Sequence, residues 1–229
     1  MNELTKTDMQ FVLSRLPRDV IKLIEKFPLF VGGGFVRSTV AGERVSDIDI
    51  FGPDETTLKL AAQELCLLRK GRIHETQNAL TLLSPPRFPV QFIKRWLFTD
   101  LVALVESFDF TVCQAAIKHV VGGNPKWVSH CSANFYSDLA AKRLVYTHPV
   151  RNEDAGGSIL RMRKFLQRGY NIQAPSIAGV IARLIDKLDF ERADNEKARA
   201  KVITGLLREV DPLAIIDGID FVDEHEVLQ

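Results

Sequence analysis

The chain has 229 residues, with 30 Lys and Arg against 29 Asp and Glu, and is 46% apolar and 26% charged. That composition excludes disordered, collagenous and coiled-coil classes, and the length suits one large domain or two small ones. The charge is uneven: residues 1–170 hold 23 basic and 17 acidic side chains, net +6, while residues 171–229 hold 7 and 12, net −5, which rules out a uniformly basic coat.

In chain order, residues 7–27 read as helical. Leu13, Leu16, Val20, Leu23 and Phe27 recur at three- and four-residue spacing, and Pro17 is placed to split the stretch in two. A short apolar run, Pro28–Val31, leads into three glycines, and residues 35–41 begin a helix. Asp47–Phe51 alternates polar and apolar, which is strand periodicity, and Gly52-Pro53-Asp54 stops it. Thr56–Lys70 reads as a helix, and Asn78–Leu83 and Val90–Ile93 as a hairpin around a proline-rich turn. Thr99–Glu106 reads as a helix, Phe108–Lys118 as a strand and Gly122–Pro125 as a turn. Helices are expected at 134–143, 158–168, 176–191, 195–209 and 211–216. The class is therefore α+β, mixed over residues 28–130 and all helical after about residue 134. The pattern breaks at His148-Pro149 and Gly156-Gly157. That break predicts two domains, 1–147 and 148–229.

Three cysteines (Cys66, Cys113, Cys131) without a CxxC spacing read as reduced thiols, and the adjacent His130 and Cys131 fall short of the four converging ligands of a zinc site. The polar N-terminus lacks a signal core, and no stretch approaches the roughly 20 apolar residues of a membrane span. A cytoplasmic protein without a membrane partner is expected.

The chemistry is concentrated in two short stretches. Gly32-Gly33-Gly34 allows a tight turn and close approach to a phosphate, a helix start at about Phe35 would face an anion, and Arg37 adds a cation. Asp47 and Asp49 are i and i+2 on the strand, so both carboxylates project to one face. Paired carboxylates suit a divalent cation. Magnesium takes a few carboxylates with waters and substrate phosphates, and two such ions can drive in-line displacement at phosphorus. No Gly-Lys-Ser/Thr follows the glycines and no GxGxxG is present, so neither a Walker loop nor a dinucleotide fingerprint is involved.

Gly33-Gly34 followed by Asp47-Ile48-Asp49 resembles the nucleotidyltransferase superfamily of DNA polymerase β, poly(A) polymerases and CCA-adding enzymes. The similarity is nearest to the head domain of the class II CCA-adding and bacterial poly(A) polymerases. Gly33-Gly-Phe-Val-Arg-Ser-Thr-Val-Ala-Gly42 resembles their GGxVRDxxxG loop, and Phe108-Asp-Phe-Thr-Val-Cys-Gln-Ala-Ala116 their RRDFTINALA segment. Asp138-Leu-Ala-Ala-Lys-Arg-Leu-Val145 resembles DLxxxxLR, and Ile159-Leu-Arg-Met-Arg-Lys-Phe165 the RILRAxRF start of a neck helix. The matches keep the family's order over about residues 30–172.

The resemblance implies a nucleotidyltransferase head with a small mixed sheet flanked by helices. It also implies magnesium-dependent transfer (manganese in its place) of a nucleoside monophosphate from an NTP, with pyrophosphate released and an RNA 3′ end as acceptor. By the same resemblance, Asp47 and Asp49 are the expected catalytic residues and metal ligands. Asp109 is expected as a third catalytic acid because it can reach the same site, although the family's aspartate there tends to contact nucleotide. Gly33, Gly34, Arg37, Ser46, Gln91, Arg161 and Lys164 are expected to hold nucleotide. Gln91 stands where the family carries a third carboxylate, Ser38 replaces an aspartate, and no clean EDxxR base-reading motif is present. A protein that binds NTP or RNA without chemistry, and a transferase with another acceptor in a defence setting, are the alternative expectations. Arg161, Lys164 and Arg168 share a helix face suited to triphosphate or an RNA backbone, or to solvent. Trp96, Trp127 and Phe135 read as core or as base-stacking residues. The family also continues into body and tail domains beyond the head.

Overall fold

A computed structural model describes residues 2–121, 126–149, 156–186 and 194–210. Two helices open the chain, α1 (Lys6–Arg15) and α2 (Arg18–Lys26), separated at Pro17 as expected. Proline has no N–H to donate and pushes the residue before it out of helical geometry; Leu16 sits at φ −70°, ψ 133°. Thr5 caps α1, accepting from the Asp8 N–H at 3.1 Å.

The centre is a seven-stranded mixed sheet, as the α+β reading requires. Its strands are β1 (Phe30–Gly32), β2 (Ile48–Phe51), β3 (Arg72–Glu75), β4 (Ala79–Leu83), β5 (Val90–Ile93), β6 (Ala115–Val120) and β7 (Lys126–Cys131), in the order β3-β4-β5-β2-β1-β6-β7. Only β2 and β5 pair in parallel; the other neighbours are antiparallel. The helices α3 (Gly34–Val40), α4 (Glu55–Arg69), α5 (Leu101–Glu106) and α6 (Phe135–Ala140) lie between strands or just after them. Asp54 and Asp100 cap α4 and α5 by accepting backbone N–H bonds. Val31, Ile48, Ile50, Leu58, Leu82, Phe92, Ala116 and Ile117 are all fully buried and form the core of the sheet and its helices. Each large apolar side chain so placed contributes about 1.5–3 kcal/mol.

Three parts of the sequence reading need correction. Phe108–Lys118 is not one strand: a single 3-10 turn at Thr111–Cys113 precedes β6, with Cys113 N–H donating to Phe110 O at 2.9 Å. Both pieces are apolar and buried, so periodicity does not separate them. Strands β3 and β7 were not anticipated. Beyond residue 156 the chain is helical as expected, in α7 (Gly157–Gln167), α8 (Ala174–Ile185) and α9 (Glu196–Val210), but for one short element. Strand β8 (Arg143–Leu144) pairs in parallel with β9 (Asn171–Ile172), joining the stretch after α6 to the stretch after α7. The expected turn at Gly122–Pro125, most of the expected domain junction, the helix at 211–216 and the acidic end from Asp211 lie outside the described residues.

Candidate active site

The glycine loop is set by β1. Gly33 N–H donates to Ala115 O at 3.0 Å, and Gly33 itself takes φ +67°, a conformation that L side chains rarely adopt. A Cβ there would also lie 3.2 Å from the Phe108 ring, whereas one on Gly34 would meet nothing within 4 Å. Gly34 is thus open backbone beside the cavity. Helix α3 runs only seven residues from this point, so its dipole adds little to anion binding.

Strands β2 and β5 carry the carboxylate face. Ile48 and Ile50 turn into the core, and Asp49 and Phe51 turn toward a cavity of about 270 Å³. The parallel register sets Asp49 directly beside Gln91, with Ile93 on the same face. Asp47 sits at the entry to β2, half-buried and outside the lining of this cavity. Ser46 Oγ donates to Asp47 Oδ1 at 2.8 Å and Gln91 Nε2 to Asp47 Oδ2 at 3.3 Å. Ser46 and Gln91 therefore orient Asp47.

The opposite wall comes from α7. Arg161, Lys164 and Arg168 fall on one side of the helix and line the cavity with Phe165. Arg161 Nε donates to Asp109 Oδ2 at 2.7 Å. Asp109 is only 2% exposed, so its carboxylate is both buried and paired. Arg37 is 4% exposed and lines the same cavity, with its guanidinium 4.8 Å from the centre of the Phe165 ring. Arg37 Nη2 donates to Ser38 Oγ at 2.7 Å, Glu43 Oε2 lies 3.8 Å from Nε, and Nε has no hydrogen-bond partner. Cys113 also lines the cavity; burial pushes its thiol up to about 11, with Arg37 pulling weakly the other way.

The structure thus brings Gly33, Gly34, Arg37, Asp49, Gln91, Asp109, Arg161 and Lys164 to one cavity, with Asp47 and Ser46 at its edge. Of the aromatic residues, Trp96 lines it, while Phe135 is fully buried and Trp127 packs on His119 at 5.3 Å. Arg168 belongs with the cations, and Phe51, Ile93, Phe108 and Phe165 form apolar walls that sequence reasoning did not assign. For Phe51 and Ile93 the signal was present: each stands two residues after Asp49 or Gln91, on the same face.

Among the described residues, no group of three His, Cys, Asp or Glu side chains is placed to hold a metal. A closed cage for a soft metal is therefore a poor fit. The donor set that is present, Asp47 and Asp49 with a neutral amide at Gln91, fits a hard cation that completes its shell with water and phosphate oxygens, as magnesium does. No helix among the described residues is long and apolar enough to cross a membrane.

Comparison with known proteins agrees on the fold and adds a family. The Thermotoga maritima CCA-adding enzyme complexed with tRNA is similar over 88% of this chain and 50% of its own, at TM-score 0.56 and 17% identity. A CCA-adding enzyme complexed with ATP is similar over 87% and 49%, at TM-score 0.56 and 18% identity. These likenesses establish a nucleotidyltransferase-type fold. A curated relative, Gabija anti-defense 2 of Bacillus phage SPbetaL7, is 21% identical over 178 residues, which are 75% of this chain and 41% of the relative. The chain thus spans less than half the length of that relative. The model of the Gabija anti-defense 2 (Gad2) family matches residues 3–142, more than half of the sequence, and the chain belongs to that family.

Proposed function

We propose that this chain is a nucleotidyltransferase that acts against a Gabija-type defence by moving a nucleoside monophosphate from an NTP to an acceptor hydroxyl, an RNA 3′ end being the acceptor. The observation that carries the reading is the cavity with Asp49 and Gln91 in register on one wall and Arg161, Lys164 and Arg168 on the other. A cavity lined by a carboxylate and several cations suits a metal-bound triphosphate. The fold likeness and the family name support the same reading.

In this scheme the open backbone at Gly33 and Gly34 admits the phosphates. Arg37, Arg161 and Lys164 offset their charge, and Trp96 offers a face to the base. Asp47 and Asp49 would hold magnesium, which when bound would supply positive charge to offset that developing on the transferred group. The acceptor oxygen bonds to the α-phosphorus and the bond from that phosphorus to the bridging oxygen breaks. Pyrophosphate leaves and the hydroxyl proton passes to water. Ser46 and Gln91 keep Asp47 oriented, and Asp109 holds Arg161 in place rather than serving as a base. Asp109 was expected to complete the catalytic set in place of a third carboxylate; its ion pair with Arg161 supports a positioning role instead.

One observation favours a second reading, a protein of this fold that binds nucleotide without chemistry. Gln91 points an N–H at Asp47 where a third carboxylate would serve, and Asp109 is occupied by Arg161. Incubation with α-labelled NTPs, magnesium and extracts of cells carrying Gabija separates the two. Label should move to an acceptor with wild type and fail to move with Asp49→Asn, and the same variant should lose anti-defence activity in those cells. Absence of label on RNA, protein or small molecules, with NTP still bound, would sink the transferase reading.

A further inference from the structure

A second cavity, of about 530 Å³, opens at the other end of the carboxylate strands. Three arginines from separate parts of the chain line it: Arg15 at the end of α1, Arg44 in the loop before β2 and Arg87 in the turn between β4 and β5. No Asp or Glu is among its described lining residues. Phe88 and the prolines of the turn supply an apolar floor.

The groove is braced from below. Arg69, whose side chain is 0% exposed, donates Nε and Nη2 to the two oxygens of Asp19 at 2.9 and 2.8 Å. Its Nη1 reaches Ser84 Oγ and Phe88 O, both at 3.4 Å, and so ties the proline-rich turn to α2 and α4. Asp19 in turn accepts from Arg87 Nη1 at 2.8 Å. The Arg69 hydrogen bonds hold the Asp19 carboxyl below its usual range, so it stays ionised and keeps Arg87 fixed. Arg87 remains 54% exposed at the groove.

Its position relative to the carboxylates follows from chain connectivity. Val45 lines this groove and Asp49 lines the first cavity, with Asp47 between them. Four residues of extended chain span at most about 14 Å. On the strand beside it, Pro89 O accepts from Ile48 N–H at 3.0 Å, so the turn lies against the start of β2. The carboxylate pair therefore has a cationic cavity on each side.

We propose that this groove holds the phosphodiester backbone of the acceptor strand, a single-stranded nucleic acid whose 3′ end reaches Asp47 and Asp49 from the side opposite the NTP. The assignment rests on the transferase reading above for the role of the strand, but not for its binding. Guanidinium groups are suited to bidentate phosphate contacts, and the flat faces of Phe88 and the prolines accept sugars and bases without reading sequence.

The test uses 5′-fluorescent single-stranded RNA and DNA oligomers and the full chain, with anisotropy read across a salt series. The triple variant Arg15→Ala/Arg44→Ala/Arg87→Ala should bind at least 10-fold more weakly at 0.1 M salt. Its log–log salt slope should be shallower by about 2, from roughly 0.7 per lost contact. ATP binding and the melting temperature report whether the fold and first cavity are intact, and both should hold. The triple Arg→Lys variant keeps the charge and should restore the slope. Unchanged affinity and slope in the alanine variant, or label from NTP appearing only on protein, would overturn the assignment. Arginine-dependent strand binding with no label transfer by wild type would uphold the groove and remove the transferase reading.

Discussion

Two regions of the molecule present aspartates to the same cavity and treat them differently. On the β2–β5 edge, backbone register sets Asp49 beside Gln91, and Asp49 is half-buried on the cavity wall. In the turn before β6, Asp109 is buried and its charge is matched by Arg161 from a helix 52 residues away. The first arrangement places a carboxylate on the cavity wall through the main-chain hydrogen bonds of its strand. The second uses the carboxylate as the fastener itself. A buried ion pair of that kind adds little net stability, but losing one partner is costly because the other charge is left dry. The contrast gives each aspartate a different mutational signature.

The largest expected effect is on the strand edge. Asp49→Asn should lower nucleotide transfer by on the order of 10²–10³-fold, with the melting temperature nearly unchanged. Single-turnover transfer and calorimetry check the two halves. A large drop in melting temperature would erase the contrast. Next is the turn. Arg161→Ala strands a buried carboxylate and should cost about 3 kcal/mol in denaturant unfolding, whereas Asp109→Asn leaves a half-exposed guanidinium that water can reach and should cost about 1–2 kcal/mol. Equal costs would mean that the pair is not what holds α7. Gln91→Asp sharpens the first region further. It should lower the magnesium concentration for half-maximal transfer by about 10-fold, the scale seen when groups around a metal site change.

The smallest effects come from pH. The Arg69 hydrogen bonds keep Asp19 ionised below the ordinary 3.8, so the folded state binds fewer protons there than the unfolded state. Stability from this group is complete above about pH 4 and is lost as pH falls further; Asp19→Asn should flatten that acid limb in urea titrations. Cys113 runs the opposite way. Its thiol titrates near 11 against an ordinary 9.0, so the unfolded state gives up its proton first and stability declines between those values. The same shift predicts that Cys113 resists iodoacetamide at pH 8 in the folded protein and reacts only on unfolding.

Much of this was legible in the sequence where a local rule governs. Pro17 split the first helix, the apolar spacing in Thr56–Lys70 gave α4 to within one residue at each end, and the alternation in Asp47–Phe51 gave the strand that carries the carboxylates. The family motifs placed Gln91 against the paired aspartates before any geometry was known. Strand β3 escaped because Ile73 is the one apolar residue in Arg72–Glu75, an exposed edge held by its ladder to β4. Strand β7 is half-buried on an edge, and its apolar and polar residues do not alternate cleanly. The Asp109–Arg161 pair and the arginine groove had no local signature at all. Arg15, Arg44, Arg69 and Arg87 come together only when α1, α2, α4 and the proline-rich turn pack on one end of the sheet.

The parallel clasp of β8 with β9 also fixes an order of assembly during synthesis. Asp49 leaves the ribosome 112 residues before Arg161, and β9 follows ten residues after that. At a synthesis rate of about 5–20 residues per second, the acidic edge of the sheet waits roughly 6–22 s before the cationic wall exists to face it. During that interval the nascent chain has the strands and the carboxylates but only part of the cavity's lining. The cavity is therefore completed late, once α7 has emerged to add Arg161, Lys164 and Phe165 to its lining, with β9 pairing on Arg143 and Leu144 just behind it.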